Sequence, residues 1–408
     1  MKILYVCHRF PFPPNRGGKI RPFNQIRHLS QQHEVIVASL ARSSGEARDG
    51  EGIAPYCAGY EMRRVRDSIQ ALRMVARLPT PTPSSMGYFY SRKLAQRVRQ
   101  LLDTERFDLI IVHASSVAQY VEHVRGVPKI LDFGDMDSQK WLEYARYKPF
   151  PLSYGYRNEG IKLERAERRL ASRFDLCTAT TRAEWQTLES YRTGVPSDWF
   201  PNGVDSDYFS PSDEPYDPDT IAFVGRMDYY PNQQCMFEFC ETTLPRLRER
   251  RPGLKLVIVG ANPSAAVRRL GAIAGVSVTG SVPDVRPYLK RAAAMVAPLA
   301  IARGTQNKIL EAMASGVPVV TSRIAAGGVD ASSPEHFIAC STPEEYVRAV
   351  LDIIEHPQER RRLAAAGRGR VLSHHAWAKS MERFDGIIER LMASGRRSNE
   401  ARVKVTAE

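Results

Sequence analysis

The sequence predicts an α/β protein of two domains, each organised around a parallel sheet. First, a chain of 408 residues exceeds one ordinary hydrophobic core and suits two domains of about 150–200 residues each. Second, short apolar runs rich in Val and Ile alternate with amphipathic stretches, which is typical of strands buried on both faces with helices between them. Third, 43% apolar and 25% charged residues are ordinary globular values, which excludes disorder, collagen and coiled coil as whole-chain interpretations.

The predicted strands fall into two sets. The first set comprises residues 3–6, 35–38, 109–112, 129–133 and 176–180, and the second comprises residues 221–225, 254–260, 276–280, 295–299 and 317–322. The segment 206–220 between them is rich in Pro, Asp and Ser, which favours a linker. We therefore expect an N-terminal Rossmann-like domain over 1–205, a second one over 221–375, a helix over 376–392 and a disordered tail over 393–408.

Hydropathy and cysteine usage bear on the compartment. No apolar run approaches the roughly 18 residues of a membrane-spanning helix. The apolar residues at the start are followed by prolines and arginines, unlike a signal peptide. The six cysteines form no C-x-x-C pair or other metal-ligand spacing. These features favour a cytoplasmic protein with reduced thiols.

The charge distribution predicts a partner surface. The formal net charge is +13, and residues 61–106 alone hold ten basic and four acidic groups. Such a face suits anionic lipid, a phosphorylated ligand or nucleic acid, and a solvated helical surface explains it equally well. Because no basic-aromatic recognition motif is present, we expect no nucleic acid. We expect an anionic membrane surface, with the protein peripheral on the inner face of the plasma membrane.

Candidate site residues follow the strands, because ligands of open α/β sheets bind beyond the carboxyl ends of the strands. Neither G-x-G-x-x-G in the first connection nor a P-loop motif occurs. Gly17 and Gly18 instead precede a helical pattern, where backbone amides can approach a phosphate closely, although a plain flexible loop has the same composition. His113 follows strand 109–112 and suits acid–base or electrostatic work, although a lone histidine is more often structural.

One amphipathic segment of the second half is especially informative. Its apolar face at 309–314 predicts a helix that begins near Thr305. Arg303 and Lys308 then lie around the positive end of this helix, where cations are disfavoured by roughly 0.3–1 kcal/mol each, so an anion bound between them is expected. Glu311, one turn further, can accept hydrogen bonds from ribose hydroxyls. The alternative is a set of surface charges and a Glu bonded to the backbone.

Three other patterns have both a functional and a structural interpretation. Arg226 follows strand 221–225 and suits bidentate bonds to a diphosphate, or a salt bridge. Val282 lies in the run 280–284, whose backbone can read a nucleobase edge. Three D-x-D strings occur, at 135–137, 205–207 and 217–219. Because so frequent a pattern carries little information, we predict no metal site from them.

Several motifs occur in an order that is specific to one family. They are Gly17-Gly18 and residues 108–113, 177–181, 201–205, 223–226, 279–284 and 307–318. Together they resemble the retaining glycosyltransferases of family 4. That resemblance covers about residues 1–392 and implies the GT-B fold: two Rossmann-like domains with parallel sheets facing across a cleft, and a C-terminal helix crossing back to the first domain. Residues 135–141 and 230–232 resemble the subgroup associated with bacterial exopolysaccharide and exosortase (PEP-CTERM) systems.

The resemblance implies a role for each matching position. Gly17 and Gly18 would contact the donor diphosphate or sugar. His113 would be the catalytic histidine near the transferring sugar. The remaining donor-binding positions would be Arg226 for phosphate, Glu311 for ribose, and Val282, Asn307 and Lys308.

Two positions depart from the family pattern. Many members carry a Glu eight positions before Glu311, where this chain has Arg303, and a Lys five positions after Arg226, where it has Pro231. The carboxylate expected beside the donor sugar is therefore missing. Lys308 would supply the positive charge in place of the missing Lys, as in relatives that have an Asn-Lys pair at this position.

The expected function is transfer of a sugar, with retention, from a nucleotide-diphosphate donor to a lipid-linked saccharide or polysaccharide acceptor in exopolysaccharide biosynthesis. No cofactor and no metal are expected. A nucleotide-sugar epimerase of GT-B fold remains an alternative. So does a non-catalytic partner that binds sugar nucleotides or glycans in a polysaccharide assembly complex. The donor base and sugar, the linkage and the oligomeric state do not follow from the sequence.

Overall fold

The computed structural model describes the backbone of residues 1–406 and the side chains of residues 1–394. The chain divides into two compact units. The first comprises residues 1–200 together with the chain from Met381 onward, and the second comprises residues 201–380. Each unit has its own hydrophobic core.

The first unit is built on a parallel sheet of seven strands within the described residues. The strands are β1 (Lys2–Cys7), β2 (Glu34–Ala41), β3 (Gly59–Arg64), β4 (Leu109–His113), β5 (Lys129–Gly134), β6 (Leu176–Ala179) and β7 (Ser197–Trp199). Their order is β3-β2-β1-β4-β5-β6-β7, and every pairing between them is parallel.

The helices of the first unit connect these strands. They are α1 (Gly17–Leu29), α2 (Ser44–Gly50), α3 (Asp67–Ala76), α4 (Ser84–Tyr88), α5 (Arg92–Thr104), α6 (Asp137–Arg146), α7 (Leu152–Ala171) and α8 (Arg182–Glu189), with 3₁₀ turns at Glu51–Tyr56 and Ser115–Tyr120. The parallel pairing is possible because these helices carry the chain back to the start of the next strand.

The second unit repeats this plan on a six-stranded parallel sheet. Its strands are β8 (Asp217–Val224), β9 (Lys255–Val259), β10 (Val276–Gly280), β11 (Ala292–Ala297), β12 (Val319–Ser322) and β13 (Ile338–Cys340). Their order is β10-β9-β8-β11-β12-β13 within residues 1–406. β8 begins inside the segment 206–220 that the sequence suggested as a linker.

The helices of the second unit are α9 (Tyr230–Glu238), α10 (Leu244–Arg250), α11 (Ala265–Arg269), α12 (Arg286–Lys290), α13 (Asn307–Ala314), α14 (Arg323–Ala326), α15 (Pro343–Glu355) and α16 (Pro357–Arg370). Shorter turns lie at Phe239–Thr243, Leu270–Ala272 and Val371–His375. The last helix, α17 (Trp377–Thr406), begins in the second unit and continues in the first. The tail predicted over 393–408 stays a prediction, because the side chains of 395–408 lie outside the described residues.

The architecture confirms the predicted α/β class with two Rossmann-like parallel-sheet domains. All ten predicted strands are present, and β3, β7 and β13 are additional. Each of these three lies at an edge of its sheet, and β7 and β13 have only three residues each. β3 reads GYEMRR, so it lacks the continuous apolar run by which a central parallel strand is recognised.

Both strand orders place a topological switch point beside the first strand of the unit. The chain moves outward in one direction from β1 to β2 and β3, and in the other from β1 to β4; β8 is flanked in the same way by β9 and β11. Open α/β sheets bind ligands at the carboxyl ends of the strands at such points. Within the described residues, no helix is both long and apolar enough to span a bilayer.

Candidate active site

The switch point of the first sheet brings two histidines together. His113 is the last residue of β4 and His8 directly follows β1, and their ring centroids are 5.7 Å apart. His113 Nδ1 lies 3.0 Å from Asp132 Oδ2. An ionised carboxylate only accepts hydrogen bonds, so Nδ1 carries the hydrogen and Nε2 is the nitrogen available for proton transfer.

Asp132 is the centre of a buried polar network. It lies in β5 and is completely buried. Its carboxylate accepts from Arg21 Nε at 2.8 Å, from Gln25 Nε2 at 2.9 Å and from Thr178 Oγ1 at 3.0 Å, in addition to His113. Burial raises the pKa of Asp132, but the charges and hydrogen bonds of Arg21 and His113 outweigh it and hold the pKa below its usual value. The network thus fixes an ionised carboxylate against the imidazole.

The backbone around His113 is strained. Ala114 has φ of 82°, a region that costs a residue with a side chain of the order of 1–3 kcal/mol. Gly134 has φ of +69°, and a Cβ at Gly134 would lie 3.3 Å from His113 Cε1. Strain of this kind persists where the surroundings over-determine it and is common at functional sites. The strand ends therefore hold the imidazole in one position.

Positive charge collects where α1 begins. Gly17 and Gly18 are the first two residues of α1, and the N-cap residue Arg16 makes no side-chain cap. Burial lowers the pKa of Arg9, and the charges of Arg42 and Arg16 lower it further. Arg9 Nη1 is buried without a partner among the described residues. These are the features of an anion-binding helix start.

A cavity of about 480 Å³ lies beside this helix start. Its walls include the cations Arg16, Lys19 and Arg42. Glu46 is also in the wall and forms an ion pair with Lys19 at 2.7 Å. Positively and negatively charged side chains therefore both line the cavity, which suits a mainly polar ligand.

In the second unit, one asparagine connects two candidate residues. Asn232 Oδ1 accepts a hydrogen bond of 2.6 Å from Lys308 Nζ, and Asn232 Nδ2 donates to the carbonyl of Arg226 at 2.8 Å. A Cβ at Gly225 would lie 2.7 Å from Asn232 Nδ2. Glycine is therefore required at the end of β8 for the asparagine to reach both partners.

Lys308 and Glu311 occupy the first turns of α13. Burial lowers the pKa of Lys308 to about 8, although nearby Glu311 opposes this shift. Burial likewise raises the pKa of Glu311 to about 7, although Lys308 opposes it. The charge of each group thus offsets only part of the pKa shift that burial causes in the other. A half-buried cation and a half-buried carboxyl with perturbed pKa values beside a strand end are typical of a functional site.

The start of α13 also holds unsatisfied polar atoms. Thr305 Oγ1 and Asn307 Oδ1 are buried and have no hydrogen-bond partner among the described residues. The N-cap residue Gln306 makes no side-chain cap to the helix. A buried polar group without a partner costs about 1–3 kcal/mol, so this arrangement favours a ligand with hydrogen-bonding groups. The helix begins at Asn307, close to the start predicted near Thr305, and Gln306 Nε2 donates to the carbonyl of Arg303 at 3.0 Å in the preceding turn.

Two further predicted residues, Arg226 and Val282, make contacts outside this cluster. Arg226 is partly exposed and forms a bidentate ion pair with Asp228, with Nε at 3.0 Å from Oδ1. A diphosphate at Arg226 would have to compete with this carboxylate. Val282 lies in the loop between β10 and α12 and packs its side chain on the core of the second unit. Its backbone role stays a prediction.

The structure therefore gathers the predicted residues into two groups. His113, Gly17 and Gly18 lie at the switch point of the first sheet, and Arg226, Asn307, Lys308 and Glu311 lie at that of the second. The sequence did not reveal the residues that hold each group together, which are His8, Arg21, Gln25 and Asp132 in the first unit and Asn232 in the second. For Asp132 a signal existed, since a carboxylate inside an otherwise apolar strand must have buried partners.

Family models match both halves of the chain. The model "Glycosyltransferase Family 4" matches residues 17–208, and the model "Glycosyl transferases group 1" matches residues 218–356. Each half of the chain thus resembles a glycosyltransferase domain. The glycosyltransferase 1 domain-containing protein 1 of Xenopus tropicalis is 27% identical over 154 residues, which is 36% of this chain and 44% of that protein. The chain thus matches less than half the length of this curated relative.

Several solved structures share the fold. Sucrose-phosphate synthase from Thermosynechococcus elongatus superposes with a TM-score of 0.68 at 16% identity, over 96% of this chain and 99% of that one. HepE of Anabaena in complex with UDP and glucose gives 0.67 at 14% identity, over 96% and 100%. The two units thus share the GT-B fold predicted from the sequence.

Proposed function

We propose that this protein transfers a sugar from a nucleotide-diphosphate donor to an acceptor hydroxyl, with retention of configuration at the anomeric carbon. The second unit binds the donor. The observation that carries the proposal is the start of α13, where Lys308, Glu311 and the unsatisfied atoms of Thr305 and Asn307 lie together. Complexes of HepE of Anabaena with UDP and with UDP-glucose support a nucleotide sugar as the donor.

The donor site supplies fixed positive charge where the reaction develops negative charge. As the bond from the sugar to the diphosphate breaks, the leaving diphosphate gains charge. Lys308, Arg226 and the backbone amides at the start of α13 stabilise that charge without reorganising, which is the most effective form of electrostatic catalysis. Glu311 accepts hydrogen bonds from the ribose. With three positive groups in place, the reaction proceeds without a metal ion.

His113 is the catalytic group of the first unit. Because Asp132 holds Nδ1–H, Nε2 of His113 is the atom that polarises a sugar hydroxyl or shapes the site near the transferring sugar. Gly17 and Gly18 supply amides to the donor diphosphate or sugar. The acceptor is a lipid-linked saccharide or polysaccharide of an exopolysaccharide pathway, reached at an anionic membrane surface. The motifs at 135–141 and 230–232 support this placement.

Donor binding and turnover of two variants test the proposal. Glu311→Ala and Arg226→Ala should each weaken donor binding by about tenfold or more, because each removes a charged hydrogen-bonding partner. Glu335→Ala, an exposed carboxylate of the same unit, is the matched control. Unchanged affinity in both site variants would reject the site. Turnover that EDTA abolishes would reject the metal-free mechanism.

A second candidate follows from Arg303. This residue stands where many family members carry the glutamate that contacts the donor sugar, so the protein is alternatively a sugar-nucleotide-binding partner without transfer activity. Tight donor binding with no product from any acceptor would favour this candidate. Conversion of the donor sugar in the absence of acceptor would instead indicate an epimerase.

A further inference from the structure

The helix α3 (Asp67–Ala76) buries polar side chains in its middle, where a surface helix usually buries apolar ones. Gln70 is 1% exposed and its Nε2 donates to the carbonyls of Tyr88 and Tyr90. Arg73 Nη1 donates to the same Tyr90 carbonyl at 2.6 Å. A helix that satisfies its polar groups inward leaves its apolar side chains on the outside.

The outward face of α3 and the turn after it is apolar. Ile69, Leu72, Val75 and Leu78 follow one another at spacings of three residues and are exposed, Leu72 to 69%. Helical side chains three apart are neighbours, so those within α3 form one stripe. Scattered exposed apolar residues need no explanation, but a contiguous patch marks an interaction surface.

A second apolar protrusion lies in the same unit. The tip between α6 and α7, residues 147–154, exposes Tyr147, Phe150, Leu152 and Tyr154, and Phe150 is 84% exposed. Among residues 1–394, fourteen large apolar side chains are exposed, and eight of them belong to these two segments. The two segments are connected through α7, where Lys162 Nζ donates to the carbonyl of Leu78 at 2.7 Å.

Exposed cations flank both segments. Arg64 and Arg66 precede α3, and Arg146 and Arg157 stand on either side of the α6–α7 tip; all four are exposed. Apolar side chains surrounded by arginine, with tyrosines among them, suit the interface of an anionic bilayer, where apolar groups enter the acyl boundary and cations meet phosphate headgroups. Two separate protrusions fit a deformable planar surface better than a single protein groove.

We propose that α3 and the α6–α7 tip insert together into the surface of an anionic membrane. This deepens the membrane partner of the proposed function by assigning the residues that make the contact. The cluster of basic groups at 61–106 then acts through the arginines beside α3. The contact needs no donor, so it can be tested independently of sugar transfer.

Sedimentation with vesicles tests the insertion. We expect the full chain to bind vesicles that contain phosphatidylglycerol and to bind vesicles of phosphatidylcholine alone much more weakly. Leu72→Asp should weaken binding by about tenfold or more, because it loses the burial of one leucine and adds a repelled charge. Arg66→Ser should weaken it by about fivefold, and less at high salt.

Ile324→Asp is the matched control. Ile324 is likewise exposed, but it lies on α14 in the second unit, so this variant should bind vesicles as the unchanged chain does. Phe150→Trp provides a direct reporter, since its emission should shift to the blue on adding anionic vesicles. The thermal midpoint of each variant checks that the fold persists.

Three results would overturn the proposal. They are absence of the unchanged chain from anionic vesicles at low salt, equal loss in Leu72→Asp and Ile324→Asp, and a dimer in solution that Leu72→Asp separates, which would identify a second copy as the occupant. Donor affinity measured on the same variants separates this proposal from the proposed function. Vesicle binding without donor binding would reject sugar transfer and leave the membrane surface intact.

Discussion

In the first unit, Asp132 affects both the stability of the fold and the orientation of His113, more than any residue that the sequence indicated. It is fully buried and holds both Arg21 and His113. A buried ion pair contributes little compared with apolar residues, but removing one partner leaves an uncompensated charge and costs about 3–5 kcal/mol. The same carboxylate orients the imidazole of His113, so one group serves both stability and the catalysis that we propose for this histidine.

Asp132→Asn should therefore lower the free energy of unfolding by about 3–5 kcal/mol. Thr178→Val is the control, since it removes one neutral hydrogen bond to the same carboxylate and should cost about 0.5–1.5 kcal/mol. Urea unfolding measures both. Equal losses of unfolding free energy in the two variants would show that the charge of Asp132 contributes no more to stability than a neutral hydrogen bond.

The pH dependence of stability follows from the same residue. The pKa of Asp132 is lower in the folded protein than its ordinary value, so its contribution is complete above the ordinary carboxyl range. It is lost as the pH falls through the folded-state value. Unfolding measured across the acid range should show a smaller loss of stability in Asp132→Asn than in the unchanged chain, because other carboxylates with lowered pKa values, such as Glu46 and Asp67, titrate in both.

Asp228 restrains Arg226 in the second unit. Their ion pair is largely exposed, and exposed pairs are worth about 0–1 kcal/mol. Asp228→Ala should therefore strengthen donor binding by up to about fivefold, because the arginine no longer has to leave a carboxylate to meet the diphosphate. Calorimetric titration with the donor measures this. Weaker binding would place Asp228 itself among the donor contacts.

At the scale of elements, Asn232 couples the end of β8 to the start of α13. Gly225→Ala would place a Cβ 2.7 Å from Asn232 Nδ2, which displaces the amide that holds Lys308. We expect a stability loss of about 1–3 kcal/mol together with weaker donor binding. Gly369→Ala in α16 has no atom within 4 Å of its Cβ and should instead stabilise by about 0.4–1 kcal/mol.

The two perturbed groups of α13 predict how donor binding depends on pH. Glu311 has a pKa of about 7 and Lys308 of about 8. Below pH 7 the carboxyl is protonated and accepts ribose hydrogen bonds less well, and above pH 8 the lysine loses the charge that attracts diphosphate. Affinity should therefore be greatest between these values. Glu311→Gln should lose the acid limb and keep the alkaline one, and an unaltered profile would contradict the assignment.

At the scale of the whole molecule, the sequence predicted the parts of the fold that have a strong periodic signal. Central parallel strands are continuous apolar runs, so all nine central strands of the two sheets in the described residues were found, together with the edge strand β10. The edge strand β3 pairs on one side only and carries polar residues, so periodicity does not reveal it.

The sequence likewise predicted only some of the residues of the candidate site. Residues at strand ends and helix starts follow from topology, whereas Asp132 and Asn232 act through contacts between segments distant along the chain, which a single sequence does not show. α13 begins at Asn307, two residues from the start predicted near Thr305, and the side chain of Gln306 donates to the carbonyl of Arg303 in the turn before it. Helix ends depend on such capping details.

A nucleotide-sugar site built on α13 of the second unit should be stabilised by its ligand. Thermal unfolding of the full chain in the presence of UDP-, GDP-, ADP-, CMP- and dTDP-sugars tests this site, with Glu311→Ala as the comparison. We expect a higher unfolding temperature with one of these nucleotides and no such increase in Glu311→Ala. No increase with any nucleotide, or an equal increase in the variant, would contradict it.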